Sequence, residues 1–102
     1  MPTRSKKRTP IHPGQVLKTV LEEAGLSANA LALALRIPAN RLTEMIHGRR
    51  SLSADTALRL ARYFGTSAQL WMNLQARFEL ESAEDALADR IEAEVQPMRK
   101  AS

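Results

Sequence analysis

Residues 26–50 read LSANALALALRIPANRLTEMIHGRR. Two short segments with helical apolar spacing lie either side of Arg36-Ile37-Pro38, and the second ends at Gly48, followed by two arginines. Ser27 is placed to cap the first segment, which the spacing carries from Ala28 to about Leu35 with Leu31, Ala34 and Leu35 on its core side. Ala28, Ala30, Ala32 and Ala34 keep that segment slim, so another helix can cross it closely. It stops ahead of Pro38, because the residue before a proline is pushed out of the α region. The second segment begins at Pro38 or Ala39 and buries Leu42, Met45 and Ile46 at i, i+3 and i+4. Asn40, Thr43, Glu44 and His47 then point outward, with Arg41 on the flank.

Working outward from this pair, residues 1–10 carry Arg4, Lys6, Lys7 and Arg8 with two prolines and no periodicity, and read as a flexible basic arm. His12-Pro13-Gly14 introduces a helix, since proline suits the first helical position. Val16, Leu17, Val20, Leu21 and Ala24 give that helix one apolar face, and Gly25 closes it. Downstream, Ser53 caps a helix running to Phe64, with Asp55 favourably near its positive end and Leu58, Ala61 and Phe64 as the expected inner stripe. Gly65 ends it. Ser67 caps the next, where Leu70, Trp71, Leu74 and Phe78 recur on one side, Trp71 reading as a core anchor. From Ser82, the residues Ala83, Leu87, Ile91 and Val95 recur every four positions on an acidic helix that ends before Pro97. No stretch alternates as a strand does. The expected fold is all-α, with a basic arm over 1–10, a five-helix domain over 11–80, and an additional C-terminal helix and tail over 81–102.

Composition is consistent with this. At 102 residues with 44% hydrophobic content, the chain can build one core, and four aromatics leave Leu and Ala to fill it. The absence of cysteine excludes disulfides, thiol catalysis and thiolate metal sites, and fits a reducing compartment. No apolar run approaches the ~20 residues that span a bilayer, and the basic start leads into no apolar signal core. The net charge of +4 hides an asymmetry. Residues 1–62 hold eleven Lys or Arg against four Asp or Glu, whereas residues 78–96 hold one Arg against seven acids. A polyanion partner is expected at the basic end.

Two short helices joined by a tight turn form a helix-turn-helix, whose second helix enters the major groove of DNA. On that helix Asn40 can pair with adenine, Glu44 can accept from a cytosine amine, and the Ala39 methyl can touch a thymine methyl. Arg41, Thr43, His47, Arg49 and Arg50 are expected at phosphates, with Ser27 and Asn29 anchoring the backbone from the start of the preceding helix. His12 and His47 lie on different helices without a Ser or carboxylate constellation, and no Gly-rich phosphate loop is present. The expectation is therefore a non-enzyme without metal or cofactor.

With HPGQVL (12–17), LRIPANRLTEMIHGRRSLSADTALRLARYFGTS (35–67) and WMNLQ (71–75) on the page, about two-thirds of the chain resembles the HigA-type antitoxins. These sit within the Xre-like, lambda-repressor-like helix-turn-helix group. The resemblance implies a cytoplasmic homodimer that binds operator DNA at the bacterial nucleoid. It also implies neutralisation of a small HigB-like, mRNA-cleaving toxin and repression of the operon encoding both. Trp71, Leu74, Phe78, Leu87, Ile91 and Val95 are the candidate dimer or partner interface. This chain departs from the wider pattern at Ala28, where many members carry Gln, at Arg36, where Gly is common, and at Pro38, where Ser often caps. Two other readings share the fold: a solitary Xre-like repressor, and a toxin-binding inhibitor with weak DNA binding.

Overall fold

The fold, taken from a computed structural model, describes residues 9–99. The basic stretch Arg4 to Arg8 lies outside them. Five helices follow in order: α1 Pro13–Ala24, α2 Ala28–Leu35, α3 Ala39–Ile46, α4 Ala54–Phe64 and α5 Ala68–Glu94. The described residues contain no strand.

Four of the five helices start where a side chain offers an acceptor to orphan amides. Ser27, Ser53 and Ser67 accept through Oγ from Ala30, Thr56 and Leu70 at 3.1, 3.2 and 3.0 Å. At α1 the acceptor is an imidazole: His12 Nδ1 takes the Gly14 N–H at 2.9 Å, with Pro13 at the first helical position. Pro38 caps α3 with no side-chain bond at all. Among the described residues, one non-glycine adopts the left-handed region: Arg36, at φ 62 and ψ 42, closing α2. That conformation costs about 1–2 kcal/mol relative to glycine, so the turn into α3 is held at some local expense.

The core lies where α1 and α2 pack on α3 and where α4 packs on α5. Leu17, Leu31, Leu42 and Leu60, one from each of the first four helices, are fully buried together with Leu52 from the loop before α4. Each removes roughly 1.5–3 kcal/mol worth of apolar surface from water. Gly14 lets α1 approach the end of α3, because a Cβ there would collide with the carbonyls of Met45 and Ile46.

Several expectations require correction. On α4 the buried face is Thr56, Ala57 and Leu60, whereas Leu58 is 63% exposed. The buried Thr56 is satisfied there, its Oγ1 accepting from Arg41 at 2.7 Å. Ala61 and Phe64 of the expected stripe are half-buried. On α2, Ala32 takes the buried place expected for Ala34, and on α5 Leu70 is exposed while Gln75 is buried.

The helix expected from Ser82 is continuous with the one before it, forming one helix of 27 residues. No Gly or Pro interrupts residues 68–94, so the backbone hydrogen-bond ladder runs on past the domain. Successive residues turn by about 100°, which sets Leu80, Leu87 and Ile91 within about 20° of the direction opposite Trp71. This stripe cannot fold back on its own domain.

Candidate nucleic-acid interface

The turn Arg36-Ile37-Pro38 presents α3 on the surface next to the start of α2. Ile37 is buried and its N–H bonds to the Ala32 carbonyl at 3.1 Å, which pins the turn to α2. Leu42, Met45 and Ile46 anchor α3 below, as the apolar spacing predicts. Above them, Ala39, Asn40 and His47 are exposed, and Arg41, Thr43 and Glu44 are half-buried. Gly48 turns the chain at φ 79, and Arg49 and Arg50 follow in the open. Ser27 and Asn29 lie exposed at the N-terminal end of α2. Although Ser27 Oγ is occupied as acceptor by Ala30, its hydroxyl proton remains for a phosphate oxygen.

Three of the expected contact residues already have partners in the chain. Arg50 Nε and Nη2 both donate to Glu44 Oε1, at 3.1 and 3.0 Å, so the carboxylate expected to meet cytosine and the guanidinium expected at phosphate neutralise one another. Arg41 reaches across to α4, where its Nη2 lies 2.6 Å from Asp55 Oδ2. Asn40, Thr43, His47 and Arg49 make no side-chain hydrogen bond among the described residues. Asn40 on the exposed side of α3 is thus free to offer its amide to a base edge, and Arg49 to offer charge to the backbone.

Of the expected partner-interface residues, Trp71 is 4% exposed, and its indole N–H donates to Thr66 Oγ1 at 2.9 Å. It belongs to the core because the α4–α5 turn folds over it. Leu74 and Phe78 are half-buried, with Phe78 edge-on to His12 at a centroid distance of 4.8 Å. Leu87, Ile91 and Val95 are exposed, as a partner surface requires.

The periodicity did not reveal the role of His12, which links three segments. It caps α1, stacks on Phe78 of α5, and bonds the backbone of Arg50 in the loop beneath the expected phosphate contacts. Burial holds its pKa below the ordinary imidazole value. The signal available in sequence was its position immediately before Pro-Gly at a helix start. Among the described residues, no group of acids and histidines is arranged to hold a metal ion.

Comparison with known proteins agrees with this geometry. The helix-turn-helix family model HTH_3 matches residues 17–71. Virulence-associated protein I of Dichelobacter nodosus is 45% identical over 85 residues, covering 82% of this chain and 79% of that protein. Among solved structures, Pseudomonas aeruginosa antitoxin HigA with the higBA promoter is 44% identical, with a TM-score of 0.85 over 89% of this chain and 100% of that one. The antitoxin GraA in complex with its operator superposes with a TM-score of 0.87 at 36% identity, over 96% of this chain and all of that one.

Proposed function

The chain belongs to the helix-turn-helix family HTH_3, within its HigA-like antitoxins, and from that premise we propose that it represses its own operon by binding operator DNA and neutralises the mRNA-cleaving toxin encoded beside it. The observation that carries the DNA half is the α3 face: Asn40 on the helix and Arg49 just beyond it stand exposed with no side-chain hydrogen bond among the described residues, and α3 is braced from below by Leu42, Met45 and Ile46. A homodimer is part of the proposal, since two half-sites about 34 Å apart multiply the affinity of a single small reader.

The toxin half concerns the far end of α5. A protein that grips mRNA needs a positive surface to meet phosphates. Residues 78–96 offer the complement, seven acids against one Arg, flanking the exposed Leu80, Leu87 and Ile91. Two identical acidic segments repel one another, so this face suits the toxin better than a second copy. Covering the toxin's RNA-binding surface would then be the means of inhibition.

One experiment tests both halves. The full chain is titrated with a duplex from upstream of its own gene and with a scrambled duplex of equal length, and then co-expressed with the neighbouring reading frame. Preference for the native duplex and co-purification of the toxin, lost in Leu87→Glu/Ile91→Glu, are expected. Equal affinity for both duplexes overturns the repressor reading. Toxin capture that survives the double substitution removes α5 as its seat.

A further inference from the structure

The recognition helix is tied to α4 at one point, and the tie continues back to the turn. Arg41 Nη2 faces three acceptors on the first turn of α4: Ser53 Oγ at 3.3 Å, Asp55 Oδ2 at 2.6 Å and Thr56 Oγ1 at 2.7 Å. Asp55 is shared, because Arg59 Nε lies 3.1 and 3.2 Å from its two oxygens. Arg59 Nη1 then donates to the carbonyl oxygen of Leu35 at 2.9 Å. Leu35 is the last residue of α2. Its carbonyl is one of those a helix C-terminus leaves without an intrahelical partner, and a cation is favoured there. A continuous chain of charge-assisted hydrogen bonds therefore runs from α3 through α4 to the end of α2, spanning the turn whose left-handed residue is Arg36.

This arrangement leaves Arg41 poorly suited to a phosphate. Its Nη2 is already engaged by three acceptors, and a phosphate approaching it would also approach the Asp55 carboxylate. We propose that Arg41, Asp55 and Arg59 are positioning residues, a brace that sets how α3 stands relative to α2 and so where Asn40 meets a base. The proposal rests on the DNA-binding reading above. The three acceptors converge on a single terminal nitrogen that carries two hydrogens, and a lysine ammonium presents three donors from one nitrogen. Lysine at 41 should therefore serve, whereas glutamine, lacking the charge, should not.

The test compares the full chain with Arg41→Gln, Arg41→Lys and Asp55→Asn in two readouts. The first is affinity for the native upstream duplex and for its scrambled counterpart across a salt series. Arg41→Gln and Asp55→Asn should each lose preference for the native duplex several-fold with an unchanged salt slope on scrambled DNA, and Arg41→Lys should keep that preference. A slope reduced by about 0.9 in Arg41→Gln, with preference intact, marks a lost phosphate contact and overturns the brace. The second readout needs no DNA. Hydrogen exchange at the Arg36 and Ile37 amides, which bond Leu33 and Ala32, should quicken several-fold in Arg41→Gln and Asp55→Asn but not in Arg41→Lys. Unchanged exchange overturns the brace even if the chain binds its operator. If the wild-type chain shows no preference between duplexes, the repressor reading falls and exchange alone decides the brace.

Discussion

Gln75, buried on α5, accepts the backbone N–H of Leu52 through Oε1 at 2.8 Å. Its other amide atom donates to Glu79 Oε2 at 2.7 Å, so both ends of the side chain are satisfied. The bond secures the loop that carries Arg49 and Arg50 to the long helix. Gln75→Leu leaves the Leu52 N–H without an acceptor and should destabilise the domain by about 1–3 kcal/mol. On a domain of this size, thermal unfolding monitored by circular dichroism should shift down by roughly 4–8 °C per kcal/mol. An unchanged midpoint would show that water replaces the amide freely.

Arg36 holds a left-handed conformation as the cap of α2. Arg36→Gly removes the Cβ clash, worth about 1–2 kcal/mol, at an unfolded-state entropy cost of about 0.5–1 kcal/mol. The net expectation is a stabilisation of up to about 1.5 kcal/mol, measured by urea unfolding with an unchanged slope. Destabilisation would mean that the exposed side chain contributes more than its backbone strain costs.

Asn40 and Arg49 should separate base reading from charge. Asn40→Ala is expected to cost about 1–3 kcal/mol on the native duplex and to relax preference at a single base pair. Arg49→Ala should weaken native and scrambled duplexes alike and flatten the salt dependence by about 0.9. Fluorescence anisotropy over a salt series distinguishes the two, and identical behaviour of the variants would refute the division of roles.

His12 gives the fold a pH dependence. Burial disfavours its charged form, so its folded pKa lies below the unfolded one, and the cap to Gly14 requires Nδ1 unprotonated. The associated stability is fully present above the unfolded value near 6.5 and declines as pH falls through the folded one. Chemical denaturation between pH 7.5 and 5 should show progressive loss in the wild type and a smaller loss in His12→Asn, which retains a capping oxygen. Equal slopes would exclude this residue as the source.

Local chemistry in the sequence determined the helices and their ends. Ser27, Ser53 and Ser67 are caps, Gly25 and Gly65 close helices, and Leu42, Met45 and Ile46 fix the inner face of α3, so its exposed face was legible too. These features depend on residues within a turn or two of one another, which is the range over which spacing and capping act. What the tertiary structure alone decided lies between elements. Alternatives of equal periodicity were settled by packing: Leu60, fully buried, rather than Leu58 enters the core. The polar Gln75 is buried because the amide of Leu52, 23 residues earlier, needs an acceptor. Arg41 is engaged by Asp55, which Arg59 shares, and Arg50 by Glu44, so three residues expected to contact DNA hold partners within the chain. The run of α5 beyond the domain, with its apolar stripe opposite Trp71, followed from an uninterrupted backbone ladder where the pattern alone suggested a second helix. A period can assign a residue to a face, but only the surrounding elements determine what that face meets and which charges remain free for DNA.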